Sequence, residues 1–162
     1  MALPTWSDLR LQLSLYSPQQ LAEAIPAALI VRAMSGRLGA SAGLTAPRSE
    51  GELAPVDAAQ AHVYPLAKSD RNAFVDMVTF GRAANNDVCF PVSGISNFHA
   101  YFRRDFLGWW LHDRSQNGTW RNGVRLEAEM GTPLSCGDRL IFARAVELEF
   151  RTANGLYELI HG

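Results

Sequence analysis

From residue 61 onward the chain is a succession of short apolar runs separated by turn formers. The runs are HVYPLA, MVTF, DVCF, HAYFRR, WWLHD, TWR, VRL, RLIFA and VELEF, and Asn85-Asn86-Asp87, Asn117-Gly118, Asn122-Gly123 and Gly137-Asp138 punctuate them. Segments this short, rich in aromatic and β-branched residues, cannot form amphipathic helices that would cover a sheet. Asn-Gly pairs supply the left-handed backbone of tight hairpins. The pattern predicts an all-β fold, an antiparallel β-sandwich rather than an α/β protein. No internal repeat or heptad interrupts it.

The first 60 residues differ in character. Ser17-Pro18-Gln19-Gln20 predicts a helix start, with Ser17 as N-cap, Pro18 at the first helical position and Gln20 completing a capping box. The helix should end near Ile25, which Pro26 disfavours in the helical region. The run Ala27 to Ala33 (AALIVRA) is too short for periodicity to separate strand from helix, with strand the favoured reading. Residues 35 to 60 turn to Gly, Ala, Ser and Pro, the composition of a linker, so a boundary is expected near residue 60. Residues 1–60 are thus read as an N-terminal extension of short helix, apolar segment and linker, and 61–162 as the sandwich domain. The extension is too small for a core of its own. Leu21, Ile25, Leu29 and Val31 must cover the sandwich or another copy of the chain. Thr5, with Asp8 three residues on, and Thr45 are the threonines through which a phosphorylated arm would self-associate.

Bulk properties exclude several functions. With 162 residues, 48% of them hydrophobic, the chain can bury a core, and 15 Lys+Arg against 16 Asp+Glu give a net charge of -1. Nothing in that balance favours nucleic acid or an anionic membrane, so any anion recognition must be local. Cys89 and Cys136 are far apart and the four histidines are scattered, which predicts reduced thiols, no metal and no cofactor. The N-terminus has no basic-then-apolar leader and no run long enough to span a bilayer, so a cytoplasmic location is expected, with the Asn117-Gly118-Thr119 sequon unmodified. No GxxxxGK[ST], HExxH or GxSxG appears, and a Ser96, His99, Asp113 triad has no support in a sandwich rich in Asn-Gly turns. A non-enzymatic role follows.

The polar residues of the turns have an order of their own: Gly81-Arg82, Asn86-Asp87, Ser96-Asn97-Phe98-His99, Asp113 to Thr119, Asn122-Gly123 and Gly137-Asp138. A sandwich gathers such loops at its ends, so residues distant in sequence can share one site. This order and spacing resemble the forkhead-associated (FHA) family over about residues 61 to 151.

The resemblance implies a sandwich of about eleven strands whose apical loops bind phosphothreonine peptides in extended form, as a module of Ser/Thr kinase signalling. It assigns phosphate contact to Arg82, whose guanidinium offers paired donors, and to Ser96. It places Asn97 where many members carry Arg or Lys, Gln116 as a weaker phosphate contact, and Asn117 as the carboxamide that holds the ligand backbone or a turn residue before Gly118. His99 would brace the loops from inside, and Gly81, Asn122, Gly123 and Asp138 would support them. A glycine at position 94 offers no side chain to read the ligand beyond the phosphothreonine. Because Asn97 and Gln116 are uncharged, a degenerate scaffold that assembles proteins without phosphorylation is the alternative.

Overall fold

The computed structural model describes residues 4–35 and 53–162. Thr45 and most of the expected linker lie outside them. Helices α1 (Trp6–Leu13) and α2 (Pro18–Ala24) lead into β1 (Ala27–Ser35), β2 (Leu53–Pro55), a 3-10 turn (Ala58–Gln60) and β3 (Val63–Pro65). There follow β4 (Val78–Gly81), β5 (Val88–Cys89), β6 (Ala100–Asp105), β7 (Gly108–Asp113), β8 (Thr119–Arg121) and β9 (Val124–Arg125). β10 (Gly131–Pro133), β11 (Arg139–Phe142), β12 (Val146–Thr152) and a terminal helix α3 (Ala153–His161) complete the fold. Seven strands form one sheet, ordered β2-β1-β12-β11-β8-β9 with β3 also on β1, and five form the other, ordered β10-β7-β6-β4-β5. The expected β-sandwich is present. All its pairings are antiparallel except β4 with β5.

The boundary expected near residue 60 does not separate two units. β1 lies inside the larger sheet, paired with β12 along most of its length and with β2 and β3 on its other edge. Its composition explains both this position and why AALIVRA is ambiguous by periodicity. Ala27, Leu29 and Val31 face the inter-sheet core, while Ala28 and Ile30 face a second apolar cluster beneath the helices, so both faces are buried and alternation vanishes. That second cluster joins Leu9 and Leu13 of α1, Leu21 and Ile25 of the α2 end, and Leu156 and Ile160 of α3. Leu21, Ile25, Leu29 and Val31 are therefore covered within the same chain.

Both N-terminal helices start with a reciprocal capping box. Ser17 and Gln20 make the one on α2, and Ile25 leaves the helix at φ -137° before Pro26. Thr5 and Asp8 make the other on α1, with the Thr5 hydroxyl donating to the Asp8 carboxylate at 2.8 Å. Thr-x-x-Asp thus has a helix-starting role here. In the main core, Phe80 of β4 stacks on Phe142 of β11 at 4.2 Å between ring centres, joining the two sheets directly under the loops that follow β4.

Because β1 supplies β12 with its neighbour and the core with Leu29 and Val31, a fragment of residues 61–162 is expected not to fold. Its amide proton–nitrogen correlation spectrum should be collapsed. A dispersed spectrum matching the full chain over 78–143 would contradict the integral placement of β1.

Candidate functional site

Three loops meet at one end of the sandwich: the β4–β5 turn, the β5–β6 loop and the β7–β8 loop. The Arg82 amide donates to the Ser96 carbonyl at 2.9 Å, and the Ala83 amide to the Asn97 carbonyl at 3.3 Å. Gly81 makes this approach possible: a Cβ there would lie 2.3 Å from the Asn97 carbonyl oxygen and 2.8 Å from Asn86 Nδ2. Its requirement is close approach to another strand of backbone, with φ outside the left-handed region. Asn86, buried, fills the remaining space and donates from Nδ2 to the Ala83 and Asn97 carbonyls at 2.9 and 2.6 Å.

His99 ties the second loop to the third. Its ring is fully buried, Nδ1 accepts from the Ser96 amide at 3.1 Å, and Nε2 lies 3.1 Å from both the Gly118 carbonyl and Thr119 Oγ1. An Nδ1 that accepts from an amide leaves the proton on Nε2, where a carbonyl accepts it, so the ring is a neutral spacer of fixed tautomer. Burial depresses the pKa of His99 below its ordinary 6.5, outweighing the opposing pull of the Gly118 carbonyl and the Asp113 charge. Asp113 in turn accepts from the Ser115 amide and hydroxyl and from the Thr119 hydroxyl. Ser96 Oγ accepts from the Gln116 amide at 3.1 Å, so Ser96 and His99 make no nucleophile–base pair and a catalytic triad is absent.

What these bonds leave free defines the surface. The Arg82 side chain is exposed and has no carboxylate partner among the described residues. The Ser96 hydroxyl proton is uncommitted because its oxygen acts as acceptor. The side chains of Asn97 and Gln116 are exposed, and Asn117 uses Nδ2 to reach the Gly94 carbonyl at 2.9 Å, which leaves its oxygen open. Left-handed backbone at this turn belongs to Gly118, at φ 92°, and not to Asn117. Asn122 and Gly123 do not join this cluster. They form the β8–β9 turn at the far end of β8, where Asn122 bonds Asp138 and the Arg139 amide. Among the described residues no cluster of His, Cys, Asp and Glu can hold a metal, and no helix is long and apolar enough to cross a membrane.

Residues 78–143, which carry all three loops, match the FHA domain family model. This chain carries an FHA domain. No curated protein matches it in sequence. Among solved structures it is similar to the MEK1 FHA domain in complex with the HOP1 pThr318 peptide, at 19% identity and a TM-score of 0.50, over 79% of this chain and 97% of that one. It is also similar to the FHA domain of an Arabidopsis thaliana hypothetical protein, at 20% identity and a TM-score of 0.51, over 79% of this chain and 86% of that one. At these identities the likeness speaks for the fold. Helices α1, α2 and α3 lie outside the matched segment of the FHA domain.

A second brace of the FHA loops is not evident from sequence. The Asp87 side chain is fully enclosed and accepts from Lys68 Nζ at 2.8 Å, from the Ser69 amide and hydroxyl, and from the Thr79 amide at 2.8 Å. Asn72 bonds the Asn85 carbonyl and Thr79 Oγ1 in the same network, which fastens the segment before β4 to the turn after it. Desolvation alone would raise the Asp87 pKa, but the bonds from Lys68, Ser69 and Thr79 outweigh it and hold the carboxyl at about 2. The Asn-Asp pair signals a turn, and its partners Lys68 and Ser69, 19 and 18 residues upstream, carry no motif.

Two outcomes follow for the FHA domain. Replacing His99 by Ala orphans the Ser96 amide and Gly118 carbonyl, so urea unfolding should show a loss of about 3 kcal/mol; a loss below about 0.5 kcal/mol would contradict the brace. For Asp87, a depressed folded pKa means stability that is present above the ordinary value of 3.8 and lost as pH falls through about 2. Asp87→Asn should therefore cost on the order of 2 kcal/mol at neutral pH, with the gap to wild type closing in acid. A pH-independent gap would show that the charge of Asp87 is not what matters.

Proposed function

We propose that this chain is a phosphothreonine-dependent peptide-binding module and not an enzyme, with Arg82, Ser96, Asn97, Gln116 and Asn117 as its ligand contacts. The observation that carries the reading is the combination of free donors on interlocked loops: a guanidinium with no carboxylate partner among the described residues, a hydroxyl proton and two carboxamides, with the carboxylates of Asp87 and Asp113 enclosed and already bonded. Hydrogen bonds to a charged group are worth roughly 1.5–3 kcal/mol each, so three or four give about -8 kcal/mol, a micromolar affinity, after ordering costs. An unphosphorylated threonine offers no charge to these donors and should bind negligibly. The bound phosphopeptide in the similar MEK1 FHA structure supports the same use of this fold. The partner is then a product of a Ser/Thr kinase.

Arg82→Ala tests this reading, because an exposed loop arginine contributes little to the fold. Isothermal titration with a phosphothreonine peptide should show binding lost, with the melting temperature unchanged. Affinity within twofold of wild type would overturn the site, and equal affinity of wild type for the unphosphorylated peptide would favour the phosphorylation-independent scaffold.

A further inference from the structure

The β6–β7 hairpin turns on two large apolar residues in open water. Phe106 is 95% and Leu107 72% exposed, between Asp105 and Gly108, the last pair of the ladder. Two-residue hairpin loops favour Asn-Gly, which this chain uses at Asn122-Gly123. Here the flanks close the turn instead: Asp105 Oδ1 accepts from the Leu107 and Gly108 amides at 2.8 and 3.1 Å, and Gly108 takes φ 135°. Neither apolar side chain is needed to shape the turn or to fill the core. Adjoining exposed apolar residues of this kind mark a contact surface.

A cleft of about 310 Å³ opens beside the tip, lined by Arg103, Arg104, Asp105, Trp110, His112 and Gly131. Arg103 lies across the ladder from Trp110, and neither Arg103 nor Arg104 has a carboxylate partner among the described residues. Trp110 Nε1 is buried and finds no acceptor among the described residues, so the cleft has more donors than the chain satisfies. His112 stacks on Tyr101 at 4.5 Å between ring centres and lies over Gly131, where a Cβ would come within 2.9 Å of its ring. Glycine keeps that floor clear. Burial lowers the His112 pKa below its ordinary 6.5, and the charges of Arg103 and Arg114 lower it further, as a positive local field requires. Asp105, the one carboxylate lining the cleft, is turned to the tip amides. The chemistry of the cleft calls for an anion.

An anion site joined to an apolar tip fits an amphiphile. We propose that the β6–β7 hairpin docks the chain on anionic bilayers, with Phe106 and Leu107 entering the acyl boundary and Arg103 and Arg104 taking a lipid phosphate at the cleft. Apolar insertion of two residues and attraction by two arginines are each weak, and peripheral attachment combines both. The indole of Trp110 suits the same boundary. A net charge of -1 adds no general attraction, so the attachment is local. β6 starts directly after His99 and runs five residue steps to Asp105, about 17 Å, so the docked hairpin leaves the Arg82 loops at the far end, facing away from the bilayer. The proposal is independent of what those loops bind.

Flotation of the full chain with vesicles tests it. Vesicles of equal parts phosphatidylglycerol and phosphatidylcholine should carry the protein, vesicles of phosphatidylcholine alone should not, and high salt should release it. Phe106→Ser/Leu107→Ser should lose vesicle binding with an unchanged melting temperature, since both positions are exposed. Arg103→Gln/Arg104→Gln should bind about thirty-fold more weakly, each basic residue near such a surface being worth about five-fold. Arg82→Ala should float like wild type. Equal binding to both kinds of vesicle, binding kept in either double variant or lost in Arg82→Ala, or no flotation at all would overturn the docking site and leave the phosphothreonine reading standing. A response of the amide signals of residues 103–112 to inorganic phosphate, without flotation, would also overturn it by marking a site for a soluble anion.

Discussion

A single buried imidazole holds two loops at one end of this FHA domain in register. His99 accepts from the Ser96 amide on one side and faces the Gly118 carbonyl and Thr119 hydroxyl on the other, with Phe80 and Phe142 packed edge-on against its ring. Every proposed ligand contact is placed relative to these bonds. Ser96 is fixed by its own amide, Gln116 is fixed through Ser96 Oγ, Asn117 through Gly94, and Arg82 through its amide on the Ser96 carbonyl. The arrangement requires the neutral ring. Because the folded state holds the His99 pKa below 6.5, the brace contributes fully above that value and weakens as pH falls below it.

The loops in turn depend on a sandwich assembled from both ends of the chain. β1 and β12 pair side by side, and the outer face of β1 is sealed by α1, α2 and α3. Fully burying a side chain such as Ile30 is worth about 1.5–3 kcal/mol, so the helical layer stabilises the strand that carries the larger sheet. The proposed binding surface consists of loops whose backbone polar groups are satisfied by Asn86, Asp87, Asp113 and His99, leaving their outward side chains free.

Much of the sandwich is legible in the sequence because its strands after residue 61 are short apolar runs punctuated by Asn, Asp and Gly turn formers. Strand β1 is not, since burial on both faces erases its alternation. Helix α3 is hidden for a different reason: Asn154-Gly155 at its start carries the signature of a turn, yet Thr152 caps it, and Gly155 is needed because Cys136 Sγ fills the space a Cβ would take. The residues proposed to face the ligand can be found by motif, as Arg82, Ser96 and Asn117 occur in family order. Their supports cannot: Asp87 gathers Lys68, Ser69 and Thr79 by tertiary contacts that leave no spacing rule in the chain.

Under the proposed function, a phosphate dianion is recognised by donors on loops that are already in place. Amide proton–nitrogen spectra recorded during titration of the full chain test it directly, with a phosphothreonine peptide and with the same peptide carrying threonine. The phosphorylated peptide should shift the signals of Arg82, Ser96, Asn97 and residues 116–118 and leave the sheets still, and the unphosphorylated one should shift nothing. Equal shifts from both peptides, or shifts confined to another face of the sandwich, would contradict it.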